Sequence, residues 1–232
     1  MSICAVVLAG GSGQRMGGTG NKVFLPLRGI PAIVRAIAPF SALCIGAVVV
    51  ARKGEEEEMK KILQRFALDR FVLAVCVGGE DRQASVAQGL GALPRDADVV
   101  LIHDGARAMV TEQVIQSVID SVRKNGSGVA AVPVTDTIKR ANAEGWVEET
   151  LQRENLFAMQ TPQGFRTDDL RRAHDKAEAD GYRATDDAAL LEHAGMPVYL
   201  CSGDRENLKL TTSMDMALAE IILRSREERE EQ

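Results

Sequence analysis

The sequence predicts an α/β fold: a doubly wound, mostly parallel sheet with an inserted β-hairpin arm. Three observations carry this. Short runs rich in Val and Ile alternate with helix-length stretches along most of the 232 residues. Several of these runs are apolar at consecutive positions, which suits strands buried on both faces of a parallel sheet. One segment, at about 134–158, interrupts the alternation. Strand–helix alternation implies right-handed βαβ units.

The elements follow in order. Ile3–Leu8 reads as a buried strand. Pro31–Phe40 reads as a helix, with Pro31 preset for its first position. A strand at Ile45–Val50 precedes a helix at Glu55–Ala67, whose acidic run Glu55–Glu58 suits a solvated face at the positive end of the helix dipole. Strand Phe71–Val75, helix Arg82–Leu90 and strand Val99–Ile102 come next. Helix Thr111–Lys124 has a capping Thr111 with Glu112 in its first turn. Strand Val129–Val132 ends this series.

After Pro133 the pattern changes. Thr135–Arg140 alternates, Ala141–Gly145 has turn chemistry, and Trp146–Leu151 is extended again, which predicts a hairpin. A two-stranded hairpin is marginal alone. The arm is therefore expected to pack on a second subunit and form a homodimer. Helices at Thr167–Ala179 and Asp186–Ala194, a strand at Val198–Leu200 and a C-terminal helix at Met214–Arg229 complete the chain. No repeat or linker divides it, so residues 1–232 read as a single domain.

Bulk chemistry narrows the function. A net charge of −5 argues against a general nucleic-acid binder, though a local cationic pocket for a small anion remains compatible with it. No apolar run approaches the length needed to span a bilayer, and no signal-like segment opens the chain. Cys4, Cys44, Cys76 and Cys201 are scattered without zinc spacing, as expected for free thiols in the cytoplasm. The three histidines show no metal-ligand spacing.

Strand Ile3–Leu8 breaks directly into Ala9-Gly10-Gly11-Ser12-Gly13-Gln14-Arg15-Met16-Gly17-Gly18, with Lys22 shortly after. A glycine turn after a buried strand presents bare backbone N–H groups to an anion. Arg15 and Lys22 add positive charge suited to a phosphoryl centre under attack. The turn does not match a Walker loop, because Asn21 precedes Lys22, and Met16 stands where a dinucleotide loop needs its third glycine. A second cluster, His103-Asp104-Gly105-Ala106-Arg107, follows strand Val99–Ile102 and falls on the same rim. Asp104 there can hold Mg²⁺, and Arg107 can contact an anionic second substrate. His103 is expected to orient its neighbours by hydrogen bonding.

Seven motifs then appear in order: VVLAGGSGQRMG followed by NKVFLPL, GGEDRQASVAQGL, HDGARAMV, VPVTDTIKR, RENLFAMQTPQGF, ATDDAALLEHAG and GDRENLKLTTSMDMALAE. Over Ile3 to about Leu223 the chain resembles the 2-C-methyl-D-erythritol 4-phosphate cytidylyltransferases of nonmevalonate isoprenoid synthesis. The resemblance implies a Rossmann-like nucleotidyltransferase fold. It implies joining of CTP to a sugar-alcohol phosphate, with Mg²⁺ or another divalent cation as cofactor. By it, Ala9, Gly10, Gly11, Ser12, Gly13, Gly79, Glu80, Ser85 and Asp104 would bind CTP. Arg15, Lys22 and Lys209 would be catalytic, and Arg107, Thr137, Arg153, Thr161, Thr185 would bind the acceptor. Thr137 and Arg153 would serve the site of a second subunit. Two readings compete: a ribitol 5-phosphate or other sugar-phosphate cytidylyltransferase, and a CTP-binding module without turnover.

Overall fold

The computed structural model describes residues 1–11 and 20–230. Strand β1 is Ile3–Leu8, and a small antiparallel pair follows, β2 (Pro26–Leu27) and β3 (Ile30–Pro31). Helix α1 (Ala32–Ile37) precedes β4 (Gly46–Ala51), α2 (Glu56–Arg65), β5 (Val72–Val77), α3 (Arg82–Gly91), β6 (Val99–Asp104), α4 (Glu112–Asn125) and β7 (Ser127–Pro133). The chain continues through β8 (Lys139–Ala141), β9 (Val147–Thr150), β10 (Phe157–Arg166), α5 (Thr167–Ala179), α6 (Asp187–His193), β11 (Leu200–Ser202) and α7 (Ser213–Glu230).

The main sheet has seven strands in the order β11-β7-β10-β6-β1-β4-β5. At its centre β1 pairs in parallel with β4 (Val6 opposite Val48) and with β6 (Val6 opposite Ile102). Alternate residues feed opposite layers, as the pleat requires. Ala5, Val7, Val49 and Leu101 join a layer closed by Ile33, Met59, Ile115 and Leu223 of α1, α2, α4 and α7. Cys4, Val6, Val48 and Ile102 join the opposite layer with Val86, Leu170 and Leu190 of α3, α5 and α6. This is the doubly wound arrangement that the alternation of elements predicts.

Differences from the sequence reading have local causes. The helix that starts after Pro31 ends at Ile37 and tightens into a 3-10 segment at Ala38–Ala42. Pro39 lacks the N–H that a continuing α-helix would use. Strand β10 is absent from the sequence reading. It contains Pro162 and polar residues, which argue against a central strand. It nevertheless lies antiparallel between β6 and β7, with a register shift between Met159 and Gln163 that accommodates the proline. The final strand sits two residues later than expected, at Leu200–Ser202. The segment after Pro133 does form a hairpin, β8 with β9, as a separate two-stranded sheet.

Helix ends are well specified. Asp81 accepts from the Ala84 N–H at 2.7 Å to cap α3, and Asp186 accepts from the Ala189 N–H at 3.0 Å to cap α6. Gly126 closes α4 at φ 84°, a left-handed position that glycine enters without penalty. Cys4 and Cys44 are buried free thiols, and burial pushes Cys44 up to about 12. Cys76 and Cys201 are free thiols of intermediate exposure. Among the described residues no helix is long and apolar enough to cross a membrane.

Candidate active site

The parallel strands β1, β4 and β6 end together, and a cavity of about 390 Å³ opens at that rim. Gly10 and Gly11 enter it from the end of β1, Lys22 from the segment beyond the glycine turn, and Asp104 from the last position of β6. Gly79, Glu80, Arg82 and Ser85 line the side formed by the β5–α3 turn, and Lys209 also lines the cavity. Eight of the residues singled out in the sequence thus share one space. Ser12, Gly13 and Arg15 lie outside the described residues.

The β5–α3 turn is shaped by close approach. The Gly79 N–H donates to Ser85 Oγ at 3.1 Å, and Ser85 Oγ donates to the Asp81 carbonyl at 2.8 Å. A Cβ on Gly79 would stand 2.4 Å from Ala84 Cβ, so only glycine fits here without a shift.

Asn21 anchors the Lys22 segment, a role the sequence reading missed. It is 3% exposed, and its Nδ2 donates to the Ala9 carbonyl at 2.6 Å and to Glu55 Oε2 at 2.7 Å. Its Oδ1 accepts from the Val23 N–H at 3.3 Å and starts the 3-10 turn that carries Lys22. Ala9 itself is fully buried, and its N–H donates to the Val50 carbonyl at 2.8 Å. Both main-chain groups of Ala9 are therefore engaged within the protein. Gly10 and Gly11, next along the chain, line the cavity directly.

Asp104 is the electrostatic centre. Its Oδ2 lies 2.7 Å from Lys209 Nζ, and its Oδ1 lies 3.6 Å from Arg82 Nε. Burial alone would raise the carboxyl, but Lys209, Arg82 and Arg107 outweigh it and hold Asp104 down at about 2. It is ionised at any physiological pH. Its backbone is pinned as well: the Asp104 N–H donates to Thr161 Oγ1 at 3.0 Å. The Thr161 hydroxyl then donates to His103 Nδ1 at 2.9 Å, and His103 Nε2–H donates to the Arg107 carbonyl at 3.2 Å. His103 is fully buried, with its ring centroid 5.1 Å from that of Phe40. Burial drives it down to about 4, so it stays neutral. This is the orienting role the sequence suggested for His103.

Two of the residues expected at the acceptor are tied into the protein by hydrogen bonds of their own. Thr161 is 4% exposed, and its hydroxyl bonds to the Asp104 N–H and to His103, which fixes the backbone that carries Asp104. Arg107 donates to two carbonyls, Asn207 at 2.7 Å and Met159 at 3.3 Å, and its Nε has no partner among the described residues, so donors of the guanidinium remain for an anionic ligand. Burial lowers the Arg107 pKa, with Asp104 opposing. Arg107 thus acts on the segment that carries Lys209. That segment is tied at further points: Asn207 Nδ2 donates to the Thr161 carbonyl at 2.9 Å, and the Leu210 N–H to the Ala106 carbonyl at 2.8 Å. From α7, Arg226 pairs with Glu206 at 2.8 Å and donates to the Met109 carbonyl at 3.0 Å.

Thr137, Arg153 and Thr185 are exposed and do not line the cavity. Arg153 Nη1 donates to the Thr135 carbonyl at 2.8 Å at the base of the hairpin. Thr185 directly precedes the Asp186 cap of α6. Arg82, Asp187, Gln163 and Asn207 were also missed from sequence. Gln163 Oε1 accepts from the Asp187 and Ala188 N–H groups at 3.1 Å each, fixing α6 to β10. All four lie within the quoted motifs, but their partners are distant in the chain, so the motifs do not show what each one holds.

A glycine turn, two lysines and a shared carboxylate at the carboxyl rim of a doubly wound sheet describe an α/β nucleotidyltransferase. The sequence profile of the 2-C-methyl-D-erythritol 4-phosphate cytidylyltransferase family matches residues 3–225. A cytidylyltransferase of that name from Geobacillus thermodenitrificans is 42% identical over 228 residues, covering 97% of this chain and 99% of its own. One from Thermosynechococcus vestitus is 43% identical, covering 97% of each chain. Among solved structures, that of the enzyme from Thermus thermophilus superposes with a TM-score of 0.79 at 32% identity, over 97% of this chain and all of its own. A 4-diphosphocytidyl-2C-methyl-D-erythritol synthase from Anaerococcus prevotii gives a TM-score of 0.84 at 27% identity, over 96% of this chain and 98% of its own. The chain belongs to the 2-C-methyl-D-erythritol 4-phosphate cytidylyltransferase family.

Proposed function

We propose that this chain transfers the cytidylyl group of CTP to the phosphate of 2-C-methyl-D-erythritol 4-phosphate. The products are 4-diphosphocytidyl-2-C-methyl-D-erythritol and pyrophosphate, a step of isoprenoid biosynthesis. The observation that carries this reading is the convergence of Gly10, Gly11, Lys22, Asp104 and Lys209 on one cavity that also takes in Gly79, Glu80 and Ser85. The glycine side would cradle the triphosphate, and the β5–α3 turn would read the pyrimidine edge.

An acceptor phosphate oxygen attacks the α-phosphorus, and the bond to the bridging oxygen of the β-phosphate breaks. That oxygen leaves with the electron pair as pyrophosphate. The attacking oxygen is already ionised at neutral pH, so the step needs no strong general base. Catalysis is alignment plus charge stabilisation. Lys22 and Lys209 supply charge at the reacting phosphorus, and Arg15 is assigned the same role from the glycine turn. Asp104 sets the direction of Lys209.

A divalent cation fits Asp104 in chemical type. The carboxylate is a hard oxygen donor kept ionised by its neighbours. Among the described residues no group of three or more His, Cys, Asp or Glu could hold a metal by itself. Mg²⁺ is commonly held by one or two carboxylates together with substrate phosphates. Bound there, it would neutralise charge on the phosphates.

We also assign a homodimer formed through the hairpin arm, supported by Trp146 and Val147, which are 75% and 60% exposed on it. In that arrangement Thr137 and Arg153 reach the acceptor of the neighbouring subunit, and Arg107, Thr161 and Thr185 the acceptor of their own. The remaining assignments are a single domain, a cytoplasmic location and no nucleic-acid or membrane partner.

The test is pyrophosphate release across a panel of nucleoside triphosphates and acceptors. Turnover restricted to CTP with the methylerythritol phosphate supports the assignment. Preference for ribitol 5-phosphate moves the acceptor, and CTP binding without release under any acceptor overturns the transferase.

A further inference from the structure

Arg82, the first residue of α3, stands between two carboxylates. Its Nη2 donates to Asp187 Oδ2 at 2.6 Å, while its Nε lies 3.6 Å from Asp104 Oδ1. Asp187 opens α6 and is completely buried, and its Oδ1 has no hydrogen-bond partner among the described residues. Asp104 holds Lys209 through its other oxygen at 2.7 Å. Four charges of alternating sign therefore run from the core to the cavity: Asp187, Arg82, Asp104, Lys209.

Burying a carboxylate this deeply is a poor way to join two helices. An apolar pair of similar volume commonly holds as well or better. The placement of the pair has a clearer consequence for the cavity. Arg82 and Lys209 both face Asp104. A guanidinium can engage a carboxylate through two parallel hydrogen bonds, which an ammonium cannot match. With no other anchor, Arg82 would close on Asp104 and displace Lys209. The distances record the opposite outcome, with Lys209 in direct contact and Arg82 drawn toward the core.

We propose that Asp187 is a positioning residue that holds Arg82 back from Asp104 and so keeps the Asp104 carboxylate for Lys209 and the ligand. The proposal deepens the cavity assignment above and rests on it. Asp187 touches no ligand and acts only through Arg82, which makes a signed prediction possible. Removing its charge should harm turnover because Arg82 then takes the wrong seat. Removing Arg82 as well should relieve that harm.

The experiment measures kcat and KM for CTP, together with thermal melts, for Asp187→Asn, Arg82→Gln and the double variant. Asp187→Asn is expected to lower kcat on the order of 10-fold, equivalent to about 1.4 kcal/mol. Arg82→Gln alone should cost less, and the double variant should return to the Arg82→Gln level. A merely structural Asp187 would give losses that compound and that follow the melting temperature. Should Arg82→Gln fail to fold with Asp187 left unpaired, Asp187→Asn against the double variant still decides, since neither carries the buried carboxylate. Wild-type kcat in Asp187→Asn, or a double variant no better than Asp187→Asn, overturns the proposal. Lys209→Ala in the same assay separates the two levels. If it turns over normally, the cavity assignment itself fails. If it is impaired while Asp187→Asn is normal, only the positioning role fails.

Discussion

His103 is one residue in which sequence position, burial and chemistry can be followed together. It ends the apolar stretch of β6 beside Asp104, and burial fixes it as a neutral ring with Nδ1 accepting and Nε2–H donating. Its folded pKa of about 4 lies below the ordinary value of 6.5. Between these two pH values the unfolded chain binds the proton and the folded chain does not, so stability rises with pH across that window. His103 therefore contributes stability above pH 6.5 that is lost as pH falls toward 4. Urea titrations at the two ends should show wild type losing on the order of 1–3 kcal/mol more than His103→Gln. Equal losses would mean that His103 is not held neutral. His174, lowered by burial in the same direction, is present in both proteins and cancels in the comparison. An orienting role for His103 was read from its place straight after an apolar strand, but its partners, Thr161 and the Arg107 carbonyl, come only from the fold. The Arg82–Asp187 pair was not legible, because 105 positions separate its members and only the meeting of α3 with α6 joins them.

At the level of elements, legibility followed periodicity. β1, β4 and β6 announce themselves through apolar runs because both of their faces are buried, and α4 shows both its length and its capping Thr111. β10 was hidden because its polar middle is used for the site. Gln160, Thr161 and Gln163 all point their hydrogen bonds at site-bearing segments. Its apolar end carries the packing. Phe165 is fully buried in the layer with α5 and α6. Phe165→Ala should destabilise the fold by about 3–5 kcal/mol, read from denaturant unfolding. A loss below about 1 kcal/mol would show that β10 does not hold the sheet together where it is placed.

For the whole molecule, topology explains why residues scattered from Gly10 to Lys209 share one space. Parallel strands deliver their carboxyl ends, with the loops that follow, to the same rim. The hairpin β8–β9 stands outside this scheme, with strands exposed along their length. Its assignment as a dimer arm predicts that Trp146→Glu shifts the molecular mass seen by light scattering from dimer to monomer at micromolar concentration. It should also lower turnover, because Thr137 and Arg153 would lose the neighbouring site. A wild-type mass that is already monomeric, or a variant that stays dimeric, contradicts that assignment. The motifs gave the cavity residues from sequence, whereas the proposed dimer arm rests on an exposed apolar surface that no short motif defines.

The central claim is that Lys209, held by Asp104 at the sheet rim, stabilises the charge of the reacting phosphate. The most direct measurement is single-turnover pyrophosphate release at saturating CTP and acceptor by Lys209→Ala against wild type. A rate lower by about 10²-fold or more, with the fold intact by thermal melt, is the expected result. An unchanged rate would contradict the account.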